Sequence, residues 1–215
     1  MADSPSLGRT ERKRQAVLAA ATSLFLEHGF RGTSMDQIAA RASVSKQTVY
    51  KQFHDKERLF REIVDSVTAN ARVVVEVVTT AFGPVPATTR ETLEERLRQV
   101  ARAYLDGVLQ PHVLAVRRLV IAEAEQFPDL AAHYYREGPE QGVAAVAACL
   151  APYVEAGLLD IDDLVVAATH FAYLSLGPIQ DRAQFVPTET PPGAQRERAA
   201  AAAARTFLAA FGAER

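Results

Sequence analysis

The sequence predicts an all-α protein, and three observations support this fold class. Apolar residues recur every three or four positions through most of the 215 residues, which is the spacing of one helix face. Segments with this spacing begin at residues that cap helices and end at glycine or proline. The valine-rich segment 73–78 also fits a buried strand, but no second segment carries a strand pattern that could pair with it.

The predicted helices follow in order from these caps and breaks. Ser34 with Gln37 matches a capping box. Ser45 and Asp55 are typical N-caps, and Gly29 suits the left-handed conformation that closes a helix. About nine helices are expected, covering residues 10–28, 34–42, 46–53, 55–82, 89–109, 111–127, 129–156 (kinked at Gly138-Pro139), 162–176 and 195–211, with a proline-rich loop at 178–194.

Residues Ser34–Phe60 predict two short helices joined by a tight turn, followed by the start of a longer helix. If Val49 and Phe53 face the core, the polar side chains of the third predicted helix lie on its outer and lateral faces. Such a helix can lie in a DNA groove, where glutamine pairs with adenine, lysine reaches guanine or phosphate, and hydroxyls reach phosphate oxygens. The residues expected to contact DNA on these grounds are Thr33, Ser34, Lys46, Gln47, Thr48, Tyr50, Lys51 and Lys56.

The charge distribution supports contact with a polyanion near the N-terminal end. Residues 9–62 hold eleven Lys and Arg against six Asp and Glu, whereas residues 63–215 hold thirteen against nineteen. A basic N-terminal segment and an acidic remainder indicate that residues 9–62 contact nucleic acid and residues 63–215 do not. The lysines between residues 46 and 56 also fit an ordinary solvated helix face. The joint occurrence of two caps, a tight turn and the charge asymmetry favours the DNA interpretation.

Residues 16–64 resemble the helix-turn-helix domain of the TetR family of bacterial transcriptional regulators. The resemblance rests on the segment FRGTSMDQIAARASVSKQTVYKQFHDKERLF at residues 30–60. It implies contacts to bases or adjacent phosphates from Lys46, Gln47 and Tyr50, and contacts to phosphates from Thr33, Thr48, His54 and Lys56. A basic cluster is expected either as an arm near the DNA backbone or minor groove, or as a solvated first helical turn; it comprises Arg9, Arg12, Lys13 and Arg14.

The resemblance also implies the domain organisation and the partners. Residues 1–9 are rich in serine, proline and glycine and are expected to form a flexible arm. The resemblance implies a helix-turn-helix domain at 10–60 and a ligand-binding and dimerisation domain at 61–215. The segment RLVIAEAEQFPDLAAHYY, residues 118–135, further resembles the C-terminal domain of the AefR-like subgroup. The implied partners are a palindromic operator read in the major groove, a second copy of the chain and a small apolar or amphipathic inducer.

Two sets of C-terminal residues are candidates for the ligand pocket and the dimer interface. The pocket candidates are polar residues that also fit ordinary core positions: Tyr104, Arg118, His133, Tyr134, His170 and Tyr173. The last two predicted helices carry more apolar surface than one contact needs, so a pair from each subunit is expected to form a four-helix interface. The residues expected there are Ala167, Phe171, Leu174, Ala200, Ala203, Phe207, Leu208 and Phe211.

Other classes of function have little support in the sequence. The five histidines show no metal-ligand spacing, and no nucleophile elbow or glycine-rich phosphate loop is present. No enzyme activity, metal or cofactor is therefore expected. No apolar run reaches the ~18 residues of a membrane span, and the single cysteine, Cys149, fits a cytoplasmic protein. The expected function is a repressor released from DNA by an inducer; the alternative is a sequence-tolerant architectural DNA-binding protein without an inducer.

Overall fold

The structure, a computed structural model, describes residues 8–69, 71–83, 89–189 and 191–213. The fold is all-α, as the sequence predicts, and the described residues form eleven α-helices, close to the nine or so expected. They are α1 (Arg9–His28), α2 (Met35–Arg41), α3 (Lys46–Phe53), α4 (Lys56–Thr68), α5 (Ala71–Phe82), α6 (Arg90–Val108), α7 (Pro111–Ala122), α8 (Pro128–Tyr135), α9 (Gln141–Glu155), α10 (Leu164–Phe185) and α11 (Gly193–Phe211). A π-helical turn, Arg136–Glu140, joins α8 to α9. Most of the arm expected at residues 1–9 lies outside the described residues, and none of the described helices is long and apolar enough to cross a membrane.

The chain divides into two compact units. The first combines the described residues up to Val67 with Ala115–Tyr134, and the second combines Thr68–Leu114 with the described residues from Tyr135 onward. This grouping differs from the single boundary expected near residue 60, which placed residues 115–134 with the other C-terminal helices.

Four phenylalanine rings form the centre of the first unit. Phe25 of α1, Phe30 of the α1–α2 loop and Phe60 of α4 have ring centroids 5.4–5.8 Å apart. Phe127, between α7 and α8, meets Phe30 at 4.8 Å and Phe60 at 5.4 Å, both edge to face. Aromatic pairs in this geometry attract beyond their buried area. Phe127 thus explains why residues 115–134 pack with the helix-turn-helix residues.

The second unit is a helical bundle with its core between α5, α6, α9, α10 and α11. Its largest fully buried side chains include Leu93, Leu97, Leu105, Tyr153, Phe171 and Phe207. The buried alanines of α11, at positions 200, 203 and 204, let that helix approach its neighbours closely. At the surface, Arg98 pairs with Glu197, and Arg196 pairs with Asp106 at 2.6 Å, so charges also join α6 to α11.

Three helix boundaries differ from those expected. The helix expected over 111–127 ends at Ala122. The helix expected over 55–82 is two helices, because α4 ends at Thr68 and α5 begins at Ala71. The valine-rich segment 73–78 is helical within α5. The helix expected to stop before Pro178 continues to Phe185, so the expected loop at 178–194 is shorter. Pro178 is tolerated because it and Leu174, whose carbonyl loses its helical partner, are both exposed to solvent.

Candidate nucleic-acid interface

α2 begins with the capping box that the sequence predicts. The Ser34 N–H donates to Gln37 Oε1 at 2.7 Å, and the Gln37 N–H donates to Ser34 Oγ at 3.2 Å. These reciprocal bonds satisfy two N–H groups that have no partner within the helix. Met35, Ile38 and Ala39 are buried. The cap and the inner face together fix the position of α2.

The turn between α2 and α3 is short and contains a left-handed residue. Ser43 has φ 52°, a conformation that few residues other than glycine adopt. The Val44 N–H donates to Ala39 O at 3.1 Å, which closes the turn onto α2. Ser45 then caps α3, because its Oγ accepts the Thr48 N–H at 3.2 Å. The direction of α3 is therefore set by local hydrogen bonds.

α3 separates a buried apolar face from an exposed polar face. Val49 and Phe53 are 0% exposed, as their spacing predicts. Gln47 and Lys51 are exposed, and Tyr50 keeps 48% of its surface in solvent. A short helix packed on one side and polar on the other is the arrangement that places base-reading side chains in a groove.

Two other expected DNA contacts have partners within the helix-turn-helix. Lys46 Nζ donates to Asp36 Oδ2 of α2 at 2.6 Å, and this bond raises the pKa of Lys46. Thr48 Oγ1 lies 2.8 Å from Ser45 Oγ. Both pairs are exposed to solvent, and an exposed ion pair contributes little to stability. Lys46 and Thr48 can therefore exchange these partners for DNA with little loss of stability.

The side chains of Thr33 and Lys56 bond to backbone carbonyls of the first unit, which corrects the expectation that they contact phosphates. Thr33 is 2% exposed, and its Oγ1 donates to Leu24 O at 3.1 Å. Lys56 Nζ donates to Phe30 O at 2.6 Å and to Thr33 O at 2.7 Å. Burial lowers the pKa of Lys56, and the Glu123 carboxylate opposes that shift. Both side chains hold the α1–α2 loop.

His54 and the start of α1 lie at the margins of the helix-turn-helix. His54 is exposed and ends α3 with φ 61°. Arg14 pairs with Glu62 at 2.5 Å and lies 5.3 Å from the centre of the Phe53 ring, so it helps to pack α1. The rest of the basic cluster is helical and forms the first turns of α1; these residues are Arg9, Arg12 and Lys13.

Two family descriptions match this chain over most of its length. Residues 17–63 match bacterial regulatory proteins of the tetR family, and residues 95–213 match the C-terminal domain of AefR-like transcriptional repressors. The chain belongs to the TetR family. Both resemblances stated from the sequence are thereby confirmed, and membership assigns the chain to the helix-turn-helix transcriptional regulators.

Two solved regulators share the fold over almost the whole chain, and a sequence relative matches part of it. A regulator from Mesorhizobium loti is 33% identical, with a TM-score of 0.78, and the match covers 96% of this chain and all (100%) of that one. The flavonoid-responsive regulator FrrA is 32% identical, with a TM-score of 0.70, over 94% and 98% of the two chains. The repressor Rv3405c of Mycobacterium tuberculosis is 34% identical over 98 residues, 45% of this chain and 49% of that protein. The chain spans 27–42% of the length of the first three sequence relatives.

In this TetR-family chain, three of the expected ligand-binding residues belong to the first unit. Tyr134 is buried, which raises its pKa, while Arg117 opposes the shift. His133 Nε2 lies 3.0 Å from Asp65 Oδ1. Arg118 Nη1 is buried and has no hydrogen-bond partner in the part of the chain that the structure describes. Of the three, Tyr134 fits the packing alternative that the sequence left open.

The other three expected ligand-binding residues lie in the second unit and do not converge. Tyr104 is 5% exposed, whereas Tyr173 is 63% exposed. His170 is exposed, and its ring centroid lies 6.1 Å from that of Phe211. The second unit also holds a cleft of about 530 Å³. None of the expected ligand-binding residues lines it; it is bordered by Arg90, Glu91, Gly157, Leu158, Leu208, Ala209, Gly212 and Ala213.

Most residues expected at the dimer interface are packed inside the second unit instead. Six of them are between 0% and 2% exposed: Ala167, Phe171, Ala200, Ala203, Phe207 and Leu208. Phe211 is partly buried and Leu174 is 40% exposed. The large apolar side chains that α10 exposes are, besides Leu174, Val165, Val166, Tyr173 and Phe185. Since α10 is apolar on more than one face, periodicity alone could not show which face packs within the chain.

The connection between α7 and α8, Glu123–Phe127, is a neighbour of the helix-turn-helix that the sequence does not predict. Glu123 Oε1 accepts the Phe30 N–H at 2.9 Å across a separation of 93 residues. Helical spacing and cap signals extend over four residues or so. The sequence therefore carried no signal for this contact.

Proposed function

We propose that this protein is a sequence-specific repressor of transcription that a small molecule releases from its operator. The observation that carries the proposal is the exposed polar face of α3, whose opposite face is anchored by the fully buried Val49 and Phe53. A helix held in this way loses little conformational freedom when it binds. Gln47, Tyr50 and Lys51 therefore act from a preorganised support.

The dimensions and side chains of α3 suit the major groove. Its eight residues span about 12 Å, and the groove is about 12 Å wide. Gln47 matches the paired donor and acceptor of adenine, and Lys46 or Lys51 can reach guanine or phosphate. The hydroxyls of Tyr50 and of Ser34, which are both exposed, fit phosphate oxygens.

Twofold pairing supplies the specificity that one short helix lacks. Two copies of α3 about 34–36 Å apart read two half-sites one DNA turn apart, which makes the operator a palindrome. We place the dimer interface on the exposed side of α10, where Val166 and Tyr173 keep 47% and 63% of their surface in solvent. The small exposed residues Ala202 and Ala209 of α11 would allow close approach of a second copy.

Two relatives of this chain indicate which kind of inducer to test. Rv3405c is named a repressor and FrrA is named flavonoid-responsive, so planar amphipathic compounds such as flavonoids are the first to test. An inducer acts through its difference in affinity between two states of the dimer, one of which spaces the two α3 helices for DNA. Tyr104 is the candidate pocket residue that is buried in the second unit.

The first experiment selects a binding site and then tests its release. Wild-type protein is used to enrich duplexes from a random library about 30 base pairs long, which accommodates two half-sites. We expect a palindromic consensus, footprint protection limited to it, and release of that duplex by at least one member of a flavonoid panel. Repression of a reporter placed behind the consensus tests the direction of regulation. Uniform protection without a consensus would instead support an architectural DNA-binding protein.

The residue-level test of the proposal is Tyr50→Ala. Loss of one contact in each half-site is expected to weaken binding to the selected duplex by about tenfold or more, since a base or phosphate contact contributes about 1–3 kcal/mol. Tyr135→Ala is the matched control, because Tyr50 and Tyr135 are both 48% exposed and only Tyr50 lies on α3. Equal affinities of the two variants for the selected duplex would contradict the assignment of α3 as the reading helix.

A further inference from the structure

The α7–α8 connection, Glu123–Phe127, makes three separate contacts with the loop that leads into the helix-turn-helix. Glu123 Oε1 accepts the Phe30 N–H at 2.9 Å. Gln126 Oε1 accepts Arg31 Nε at 2.8 Å. The Phe127 ring meets the Phe30 ring edge to face at 4.8 Å. We name this segment the brace.

The strongest of these contacts joins a charge to a backbone amide in a partly buried setting. Phe30 is 7% exposed, so its N–H has little access to water if the carboxylate is removed. Hydrogen bonds from an amide to a carboxylate are stronger than those between neutral groups. An amide left without a partner in such a place is unfavourable, so the loop would shift to recover a bond.

Lys56 carries the position of this loop to the helix-turn-helix. It is the first residue of α4, three residues after α3 ends at Phe53, and its ammonium donates to Phe30 O and Thr33 O. The loop carbonyls precede α2 and Lys56 follows α3. The two ends of the α2–α3 segment are thus tied together at one point. Phe127 also packs on Phe60 of α4 at 5.4 Å, so the brace contacts both the Phe30–Thr33 loop and α4.

We propose that Glu123 and Phe127 are positioning residues for operator recognition. They hold the Phe30–Thr33 loop and α4 so that the exposed face of α3 presents its side chains at the distances and angles that base contacts require. Base reading depends on orientation, whereas non-specific attraction to phosphates depends mainly on charge. Loss of the brace therefore lowers affinity for the operator more than affinity for unrelated DNA. This inference rests on the proposed DNA-binding function.

The test compares Glu123→Ala with two other variants on two probes. The probes are the duplex selected by the wild-type protein and a scrambled duplex of the same length and composition. Glu123→Ala is expected to weaken binding to the selected duplex about tenfold, the scale of one such hydrogen bond, and to change binding to the scrambled duplex less than about twofold. Glu123→Gln keeps an oxygen acceptor and should retain most of the affinity. Glu125→Ala, in the same turn and exposed, removes an equal charge and should lose none.

Hydrogen exchange decides the geometry independently of DNA. In Glu123→Ala the amides of Phe30–Ser34 and of α3 should exchange faster than in wild type, while those of Glu125→Ala should not change. Unchanged exchange in these segments would overturn the brace, even if the wild type selects no operator and the proposed function fails. Equal losses of affinity for both duplexes would also overturn it, since they indicate general destabilisation. Full operator affinity in Glu123→Ala with faster exchange would show that the loop does not position α3.

Discussion

At the scale of single residues, Glu27 shows how an exposed side chain can link two helices. Arg41 of α2 donates to both carboxylate oxygens of Glu27 in α1, each at 2.8 Å, and Ser23 Oγ donates at 2.7 Å. The bonds from Arg41, and then from Ser23, lower the pKa of Glu27 from 4.5 to about 2. The paired geometry is the form in which arginine and carboxylate interact best.

This pKa shift predicts a pH dependence of stability. The folded state binds the Glu27 proton less tightly than the unfolded chain does, so its contribution to stability is complete above about pH 4.5 and is lost as the pH falls through about 2. Glu27→Gln should lower stability at neutral pH and flatten the decline between these values, measured by denaturant titration at several pH values. Glu57→Gln, which removes a carboxylate paired with Arg61 inside α4, is the control. Identical pH profiles for the wild type and Glu27→Gln would contradict the link.

Lys56 and Thr33 show that a motif residue can have a role other than the one its type suggests. Hydroxyl and ammonium groups near a recognition helix fit phosphate contacts in chemistry and spacing. In the structure, the Thr33 hydroxyl bonds to the end of α1 and the Lys56 ammonium bonds to the α1–α2 loop. Substituting either residue would therefore disturb the support of the helix-turn-helix. Tyr50 is the better test of DNA contact.

At the scale of elements, the Tyr104 side chain of α6 meets α9 at one glycine, Gly142. A Cβ atom at Gly142 would lie 2.6 Å from Tyr104 Oη and 3.2 Å from its Cζ. Tyr104 is 5% exposed, so its ring has little room to move away. The glycine is required by this close approach.

Gly142→Ala is therefore expected to destabilise the protein although alanine is the better helix former. The gain of about 1 kcal/mol in helix propensity opposes an overpacking term of about 1–3 kcal/mol, and the net loss should lower Tm by about 2–4 °C. Adding Tyr104→Phe removes the clashing oxygen and should restore part of the loss, which a double-mutant cycle measures. Gly138→Ala, with no atom within 4 Å of its Cβ, is the control and should not lower Tm. A cycle without coupling would show that the clash is relieved elsewhere.

At the scale of the whole molecule, the two units are not consecutive in the chain. The chain passes between them after Val67, after Leu114 and again after Tyr134. A fragment ending near residue 60 would lack Phe127 and Glu123, which pack against and bond to Phe30. Removal of the last helix would likewise take five buried residues from the core of the second unit. Such a deletion tests folding rather than dimerisation.

A surface substitution is the sharper test of the proposed dimer. Val166→Asp places a carboxylate on the exposed side of α10 and should yield monomers, because an unpaired charge is unfavourable in an apolar interface. Val77→Asp on α5 is the matched control, since Val166 and Val77 are 47% and 38% exposed, and it should leave the dimer intact. Sedimentation velocity measures both, and monomeric Val166→Asp should also bind the selected duplex more weakly. A dimer of unchanged stability in Val166→Asp would move the interface away from this face.

Sequence patterns alone predict the helical fold, the two caps of the helix-turn-helix, the separation of Val49 and Phe53 from the polar face of α3, and the family. These features depend on interactions between residues within about four positions of one another, and such interactions leave a local pattern. The three-dimensional structure is needed to show that Glu123–Phe127 packs with the α1–α2 loop, that Thr33 and Lys56 point inward, and which face of α10 is buried. Those outcomes depend on packing between segments far apart in the chain. When a helix is apolar on several sides, the local sequence does not show which side is buried. When a polar residue has several possible partners, the local sequence does not show which partner it bonds to.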